Sequence, residues 1–393
     1  MFLLDIFIVT IAVIFVGFYV FYYLICFRYS KLKRVGTYPS FASDSLPMVS
    51  MIVPVYNESR VIEQKIDNLS QIDYPKNKLE VVFVDGGSDD GTVKKIKNLS
   101  SKVNFTLKTV EQGSRKGFNA AVIEGFYATK GDVIFITGAE TQYESNALRI
   151  MVDHFADPRV GAVNGAMRVS NVGEGLSTEL ETAYRGLYDF VRLAESNLDS
   201  PFDIKGEIAA SRRSICQHLV DNPAMSRKGC IDACFSFQAK MDSYRTVYDP
   251  RAVYYEPAPK SMHDSFKQQV RRGATLIENM LAFKNILLKR KYGRFGMLIM
   301  PAHFLMLIVM PFLFIVTAGG FVALAVLNPS NYFLAALCVV GGLSLLLSRR
   351  IQAFAKTQIV LIFVCMKMLR GVETQKFERL SSVRPEGKQM EVK

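Results

Sequence analysis

Apolar residues are concentrated at the two ends of this 393-residue chain, whereas the middle alternates short apolar runs with polar segments. The first run, residues 6–27, is almost wholly apolar. A helix of about 22 residues reaches roughly 33 Å, enough to cross a hydrocarbon core. Basic residues follow this run instead of preceding it, which favours a retained anchor over a cleaved signal peptide. We therefore predict an N-terminal transmembrane anchor over residues 1–28.

Three further apolar runs lie towards the other end, at residues 297–327, 332–347 and 357–366. The last run is short, because even when it is counted from Ile351 it spans only roughly 24 Å and contains Lys356. A short span and an interfacial or re-entrant helix both remain open for it. Residues 296–370 are predicted to hold the C-terminal transmembrane helices, and residues 371–393 a basic cytoplasmic tail.

The formal net charge of +12 is carried largely by residues beside the apolar runs. These basic residues are Arg28, Lys31, Lys33, Arg34, Lys289, Arg290, Lys291 and Arg294. Positive charge in this position is expected next to the anionic cytoplasmic leaflet, and the sequence lacks the basic and aromatic strand pattern of an RNA-binding sheet. The charge pattern predicts a multi-pass cell-membrane protein with a cytoplasmic middle part, a lipid bilayer as partner and no nucleic acid.

The middle of the chain, residues 45–260, has the pattern of an α/β domain. Its predicted strands lie at residues 48–55, 79–85, 105–110, 132–137 and 160–169. Strands that alternate with helices indicate a mostly parallel sheet, which binds ligands beyond the carboxyl ends of its strands. Polar clusters follow three of the strands, at residues 56–58, 85–90 and 137–140. We expect these clusters to meet in one crevice.

Residues 261–295, between this domain and the later apolar runs, carry apolar side chains near helical spacing, with Lys, Gln and Arg between them. The pattern predicts an amphipathic helix region that lies in the headgroup plane. A plain core helix is the alternative.

The polar clusters contain the residue types that nucleotide chemistry requires. Carboxylates at strand ends can accept hydrogen bonds from a base and ribose, or bind a divalent cation that holds a diphosphate. Basic residues can offset phosphate charge, and the candidates are Arg115, Lys116, Arg271 and Arg272. A further carboxylate is needed to take a proton from an attacking hydroxyl.

In this order, the motifs resemble those of the inverting family 2 glycosyltransferases, the group that includes cellulose, chitin and hyaluronan synthases. The resemblance runs from about Pro47 through the C-terminal apolar segments. VPVYNES resembles the nucleotide-contacting loop, which implies donor contacts for Tyr56 and Glu58. VDGGSDDGT implies that Asp85 reads the base, and SRKGFNAA implies that Lys116 approaches the diphosphate.

Two later motifs extend the resemblance. GCIDACFSFQAKMDSYRTVYDPRAVYYEPAP resembles the acidic catalytic motif and the strand after it, which implies that Asp232 is the general base. KQQVRRGA resembles the Q-x-x-R-W signature, with Gln268 and Arg271 in register and Arg272 in place of the Trp. We therefore expect residues 45–260 to form a cytoplasmic GT-A-like nucleotide-sugar-binding domain flanked by transmembrane helices.

The resemblance implies an inverting hexosyltransferase with a nucleotide-sugar donor, expected to be a UDP-sugar, and a saccharide or lipid-linked acceptor. It also implies a divalent cation, Mg or Mn, held by a D-x-D motif. Here that motif reads Gly138-Ala139-Glu140, which leaves Glu140 as the predicted metal ligand. A catalytically silent membrane scaffold of the same fold and another nucleotide-dependent transferase remain the alternative functions.

Several of the site residues also have structural alternatives. Asp85 could be a turn former after its strand, Glu140 a partner of a helix dipole, and Asp232 a carboxylate at a helix start. Lys116 could cap its loop or pair with Glu111.

Overall fold

The computed structural model describes residues 2–32, 40–204, 206–225 and 229–370. The predicted basic tail at residues 371–393 and the basic residues Lys33 and Arg34 lie outside these ranges. The first helix, α1 (Phe2–Ser30), is longer at both ends than the apolar run that predicted it.

The middle of the chain is built on one sheet of eight strands over the described residues. The strands are β1 (Val49–Val55), β2 (Leu79–Asp85), β3 (Thr106–Glu111), β4 (Val133–Ile136), β5 (Gln142–Tyr143), β6 (Val160–Val169), β7 (Ala209–Arg212) and β8 (Arg245–Glu256). The five predicted strands correspond to β1–β4 and β6. Sequence patterns did not predict β5 and β7, and only the family resemblance implied β8.

The strand order across the sheet is β3-β2-β1-β4-β7-β6-β8-β5. The β1–β2, β1–β4, β2–β3 and β6–β8 pairs are parallel, and the pairs of β7 with β4 and β6, and of β5 with β8, are antiparallel. β1 and β2 are almost entirely buried, as expected for apolar strands covered on both faces. The predicted α/β fold with a mostly parallel sheet is confirmed.

The helices of this domain pack against the two faces of the sheet and lie between it and the apolar helices. They are α2 (Ile62–Ser70), α3 (Thr92–Ser100), α4 (Phe118–Ala128), α5 (Ala147–Asp153), α6 (Leu176–Leu198), α7 (Arg213–Val220), α8 (Phe235–Met241) and α9 (Met262–Ala282). Two apolar clusters of buried side chains, one on each side of β1 and β4, form the core.

The second long apolar helix, Phe295–Leu327, contains two wider turns. A π turn over Phe295–Ile299 precedes α10 (Met300–Phe304), and a second over Leu305–Val309 precedes α11 (Met310–Leu327). Each π turn is followed within two residues by a proline, Pro301 or Pro311. Proline has no N–H to donate to the preceding turn, and this accounts for the wider geometry at both places.

The last helix is longer than the sequence predicted. The final apolar run lies within α13 (Arg349–Leu369), whose 21 residues rise roughly 31 Å. By length and composition α13 can cross a membrane, as can the helices Leu3–Ser30 and Phe295–Leu327. α12 (Tyr332–Leu347) has only 16 residues and is the shorter apolar helix. The predicted segment, residues 351–366, was too short because it omitted Arg349 and Arg350 at the start of α13 and residues 367–369 at its end.

The apolar face of α9 is covered by protein. Val270 and Ala274 pack in the same cluster as Val360 and Val364 of α13. A Cβ built at Gly273 would lie 2.9 Å from Val364 Cγ2, so the two helices approach closely at this glycine. Contacts of this kind are expected of a core helix, and the predicted placement of residues 261–295 in the headgroup plane stays a prediction.

A buried polar cluster joins the domain to the apolar helices. The Glu195 carboxylate of α6 accepts hydrogen bonds from Tyr22 Oη of α1 at 2.7 Å and from the Phe202 amide at 2.8 Å. It also contacts His303 Nε2 of α10 at 2.5 Å and Arg192 Nη1 at 3.1 Å. Charges buried this deeply must be paired, and the pairing fixes α6 against α1 and α10.

Candidate active site

A cleft of about 450 Å³ opens at the carboxyl ends of β1, β2 and β4. The loops after these strands form one wall, α6 and α9 form a second, and Leu307 and α13 close the far end. Seven of the nine predicted site residues line the cleft: Tyr56, Glu58, Glu140, Asp232, Gln268, Arg271 and Arg272. Asp85 and Lys116 are the two that do not.

The loop after β1 forms the part of the cleft expected to hold the base. The Arg115 guanidinium stacks over the Tyr56 ring at 4.5 Å from the ring centroid. Gly86 lies beside both side chains, and a Cβ there would be 3.6 Å from the Tyr56 ring. Glu58, which also lines the cleft, donates its amide hydrogen to Thr92 Oγ1 at 2.8 Å. This part of the cleft therefore offers a carboxylate, an aromatic ring and a cation.

Asp85 lies behind the cleft wall. It is only 2% exposed, and its carboxylate accepts hydrogen bonds from the amides of Gly87 and Ser88, both at 2.9 Å, and from Ser88 Oγ at 2.5 Å. Gly87 has φ of +83°, a conformation that favours glycine. The contacts are those of the turn-former alternative, and the predicted base-reading role stays a prediction.

The Lys116 side chain does not line the cleft. Its Nζ pairs with Glu124 Oε1 at 3.0 Å, and Glu111, the partner that the sequence suggested, pairs with Lys97 at 2.6 Å. The preceding residue, Arg115, is the cation of this segment that lines the cleft.

Glu140 lies in the turn that follows β4 and is half-buried at the cleft wall. A Cβ at Gly138 would be 3.8 Å from Glu140 Oε2, so a carboxylate at residue 138 would project alongside Glu140. In the described part of the chain, no group of three His, Cys, Asp or Glu side chains could hold a metal ion. Magnesium sites commonly use one or two carboxylates together with substrate phosphates. Glu140 therefore fits a divalent cation that is also held by a diphosphate.

Lys65 of α2 lies directly behind this turn and is completely buried. Its Nζ donates to Thr137 Oγ1 at 3.1 Å and to the Thr141 carbonyl at 2.8 Å, and lies 4.7 Å from the Tyr143 ring centroid. Burial lowers the pKa of Lys65 to about 7, although the Glu140 carboxylate acts in the opposite direction. No motif in the sequence pointed to Lys65.

Asp232 begins a short 3-10 turn, Asp232–Cys234, and lines the cleft with 8% of its surface exposed. Its Oδ1 accepts a hydrogen bond from the Ala233 amide at 2.7 Å. Burial raises the pKa of Asp232 to about 7. The Ala233 amide and Arg271 act against this shift, and the Glu207 carboxylate adds to it. Asp232 therefore changes protonation near neutral pH.

Gln268, Arg271 and Arg272 of α9 all line the cleft. Arg272 Nη2 bridges Glu207 Oε1 at 3.1 Å and Glu256 Oε1 at 3.0 Å. Burial and the neighbouring Arg272 lower the pKa of Arg271, whereas burial and the Glu207 carboxylate raise the pKa of Glu256 to about 7. The charge of Arg272 is thus largely compensated by protein carboxylates.

The wall formed by α6 was not identified from the sequence. The residues that it contributes are Glu181, Tyr184, Arg185, Tyr188 and Arg192. Each of them lies three or four positions from another member of the set, so they share one side of the helix. Arg185 is paired with Glu181, and its guanidinium lies 5.6 Å from the Tyr184 ring centroid. The signal was present in the sequence as this helical spacing of polar and aromatic residues.

Comparison with known proteins agrees with this geometry. Residues 50–220 match the model of glycosyl transferase family 2. The chain is 28% identical over 262 residues to the probable glycosyltransferase YdaM of Bacillus subtilis (strain 168), which covers 63% of this chain and 60% of that protein. It is 24% identical over 259 residues to a poly-beta-1,6-N-acetyl-D-glucosamine synthase of Staphylococcus aureus (strain COL). That alignment covers 65% of this chain and 60% of the synthase.

Among solved structures, the mannosyltransferase PcManGT from Pyrobaculum calidifontis, in complex with GDP-Man and Mn2+, superposes with a TM-score of 0.80. The two sequences are 27% identical, and the superposition covers 94% of this chain and 100% of the PcManGT chain. The chain spans about 60% of the length of the curated relatives it matches. The predicted family resemblance and GT-A-like fold are confirmed: residues 50–220 match the model of glycosyl transferase family 2, and the chain shares the fold of PcManGT.

Proposed function

We propose that this protein is a membrane glycosyltransferase that moves a sugar from a nucleotide-sugar donor, with inversion, to a saccharide or lipid-linked acceptor. The observation that carries the proposal is Asp232, a buried carboxylate with a pKa of about 7 in the same cleft as the Tyr56 loop and Arg271. PcManGT, which has a similar fold, is in complex with GDP-Man and Mn2+, and this supports a donor of the same class.

The donor would lie along the loops after β1 and β4. Tyr56 and Glu58 contact the base and ribose, and Arg115, stacked on the Tyr56 ring, closes that end of the cleft. Gln268 and Arg271 face the diphosphate from α9. Arg271 carries the positive charge that this group needs as it leaves.

Glu140 would hold a Mg or Mn ion together with the diphosphate, and such an ion, when bound, neutralises charge that develops on the leaving group. Gly138 leaves space beside the Glu140 carboxylate, so that a phosphate or water oxygen can complete the coordination.

Asp232 acts as the general base. Its carboxylate accepts the proton of the acceptor hydroxyl, the hydroxyl oxygen forms a bond to the anomeric carbon, and the bond from that carbon to the diphosphate oxygen breaks. Attack opposite the leaving group inverts the anomeric configuration. A base with a pKa near the working pH combines a deprotonated fraction with useful proton affinity.

The same proposal extends to location. Arg28 and Lys31 lie at the end of α1, and Arg290, Lys291 and Arg294 precede the helix Phe295–Leu327. Basic residues at these helix ends favour a cytoplasmic catalytic domain in a multi-pass protein of the cell membrane.

The proposal is tested with the full-length protein purified in detergent. GDP-mannose, UDP-N-acetylglucosamine and other nucleotide sugars are incubated with candidate acceptors, and product mass and nucleotide release are measured. We expect turnover by the wild type, loss of turnover by Asp232→Asn, and wild-type rates for Asp242→Asn, whose carboxylate contacts His218 outside the cleft. Equal rates for wild type and Asp232→Asn, or no turnover by either, would favour the silent scaffold.

A further inference from the structure

The lysine behind the Glu140 turn is unusual in its surroundings. Lysine is almost never completely buried without a charged partner. Lys65 has no exposed surface, and the two hydrogen bonds of its Nζ go to neutral oxygens, the Thr137 hydroxyl and the Thr141 carbonyl. A methionine would fill the same space without the desolvation cost, so packing alone does not account for this side chain.

Both acceptors belong to the turn that carries Glu140. Thr137 and Thr141 lie on either side of Gly138, Ala139 and Glu140, so that Lys65 joins the two ends of the turn from below. On its opposite side, the turn borders the open cleft.

Asn68, one helical turn after Lys65, contacts the segment that continues from the turn. Its Nδ2 donates to the Tyr143 carbonyl at 2.9 Å, and its Oδ1 accepts from the Tyr143 amide at 2.8 Å. One face of α2 thus makes four hydrogen bonds to residues 137–143, two through Lys65 and two through Asn68.

We propose that Lys65 is a positioning residue which, together with Asn68, fixes the turn so that the Glu140 carboxylate faces the diphosphate and its cation. This inference rests on the proposed function. Because residue 138 is a glycine, the turn after β4 supplies a metal ligand only if the Glu140 carboxylate is oriented towards the ion. Rigid support of the turn therefore replaces part of what a second carboxylate would contribute.

The test is Mn²⁺ binding, measured by electron paramagnetic resonance on full-length protein with excess GDP or UDP. Lys65→Met is compared with Lys76→Met, a lysine just beyond α2 whose Nζ donates to the Ile72 carbonyl at 2.7 Å outside the cleft. We expect Lys65→Met to raise the half-saturating Mn²⁺ concentration about tenfold, and Lys76→Met to stay within about twofold of the wild type.

The direction in which the half-saturating Mn²⁺ concentration changes distinguishes a positioning role of Lys65 from a purely electrostatic one. Removing a positive charge near a cation site strengthens cation binding if the lysine acts only through its field. An unchanged or lower half-saturating Mn²⁺ concentration in Lys65→Met would therefore overturn the proposal.

A second variant protects the test against misfolding. Asn68→Ala removes the other pair of hydrogen bonds at a partly buried position, and we expect the half-saturating Mn²⁺ concentration to rise in this variant as well. Wild-type affinity in Asn68→Ala would count against the inference. If the wild type does not bind Mn²⁺ in the presence of GDP or of UDP, the metal-assisted function itself is overturned. If the wild type binds Mn²⁺ and the variants bind it equally well, only the positioning role is overturned.

Discussion

At the scale of single residues, the burial of Asp232 sets the pH at which its carboxylate can accept a proton. Only 8% of the side chain is exposed, and the carboxylate has a pKa of about 7. The neighbouring Glu207 carboxylate disfavours the charged form further, and Arg271 favours it. A general base in this state is half deprotonated near neutrality.

The rate of sugar transfer should depend on pH. Because only the deprotonated Asp232 accepts a proton, the rate should rise with pH through about 7 and level off above it. Asp232→Asn should be slower by about 10²- to 10⁴-fold. Initial rates between pH 5.5 and 8.5 test this, with Asp242→Asn as control. A flat wild-type profile would contradict it.

The same burial has a consequence for stability. The unfolded carboxyl has its ordinary pKa of 3.8, so between about pH 4 and pH 7 the folded protein binds the extra proton and unfolding becomes easier as pH rises. Asp232→Asn lacks this effect. The unfolding free energy of Asp232→Asn should exceed that of the wild type by an amount that grows between about pH 4 and pH 7 and stays constant above pH 7. Thermal unfolding of both proteins in detergent at several pH values would measure this difference.

Individual site residues were predictable where a motif fixes their place on a strand end or helix face. Tyr56, Glu140 and Gln268 line the cleft as expected. Asp85 and Lys116 do not, because a side chain beside a turn can point to either side of the wall and the sequence does not record which. Local hydrogen bonding decided both cases.

At the scale of elements, buried strands were predictable and short connecting strands were not. β1 and β2 are continuous apolar runs, whereas β7 reads Ala-Ala-Ser-Arg and β5 has two residues. Their positions depend on pairing with distant strands, which the local pattern does not encode. The role of α2 in supporting the Glu140 turn depends on tertiary contact in the same way.

The Glu140 turn gives an expectation of its own. A Cβ at residue 138 meets Thr141 Oγ1 at 3.3 Å and Glu140 Oε2 at 3.8 Å, so a side chain fits with a small adjustment. Gly138→Asp should add a second carboxylate and lower the half-saturating Mn²⁺ concentration several-fold. Gly138→Ala is the control for the added Cβ. Equal affinities for the two variants would mean that residue 138 does not reach the ion.

At the scale of the whole molecule, the Glu195 cluster holds the domain on the apolar helices. Tyr22 of α1, His303 of α10 and Arg192 of α6 converge on one carboxylate. The apolar runs predicted the helices, yet the sequence alone did not reveal this connection, because Tyr22 lies 173 positions before Glu195 along the chain and His303 lies 108 positions after it.

Removing that carboxylate should be costly. Glu195→Ala leaves the buried Arg192 and His303 without their shared partner, and breaking a buried ion pair in this way costs about 3–5 kcal/mol. We expect a large fall in the unfolding temperature of the detergent-solubilised protein. Glu179→Ala, an exposed carboxylate on the same helix that pairs with Arg349, should change it little. Similar effects for both variants would contradict the assignment.

The polar face of α6 borders the cleft, and Glu195 in its last turn contacts Tyr22 of α1 and His303 of α10. A change in bilayer thickness that tilts α1 and α10 would therefore also move α6, which borders the cleft. Under the proposed function, turnover should then vary with acyl-chain length when the protein is reconstituted in nanodiscs.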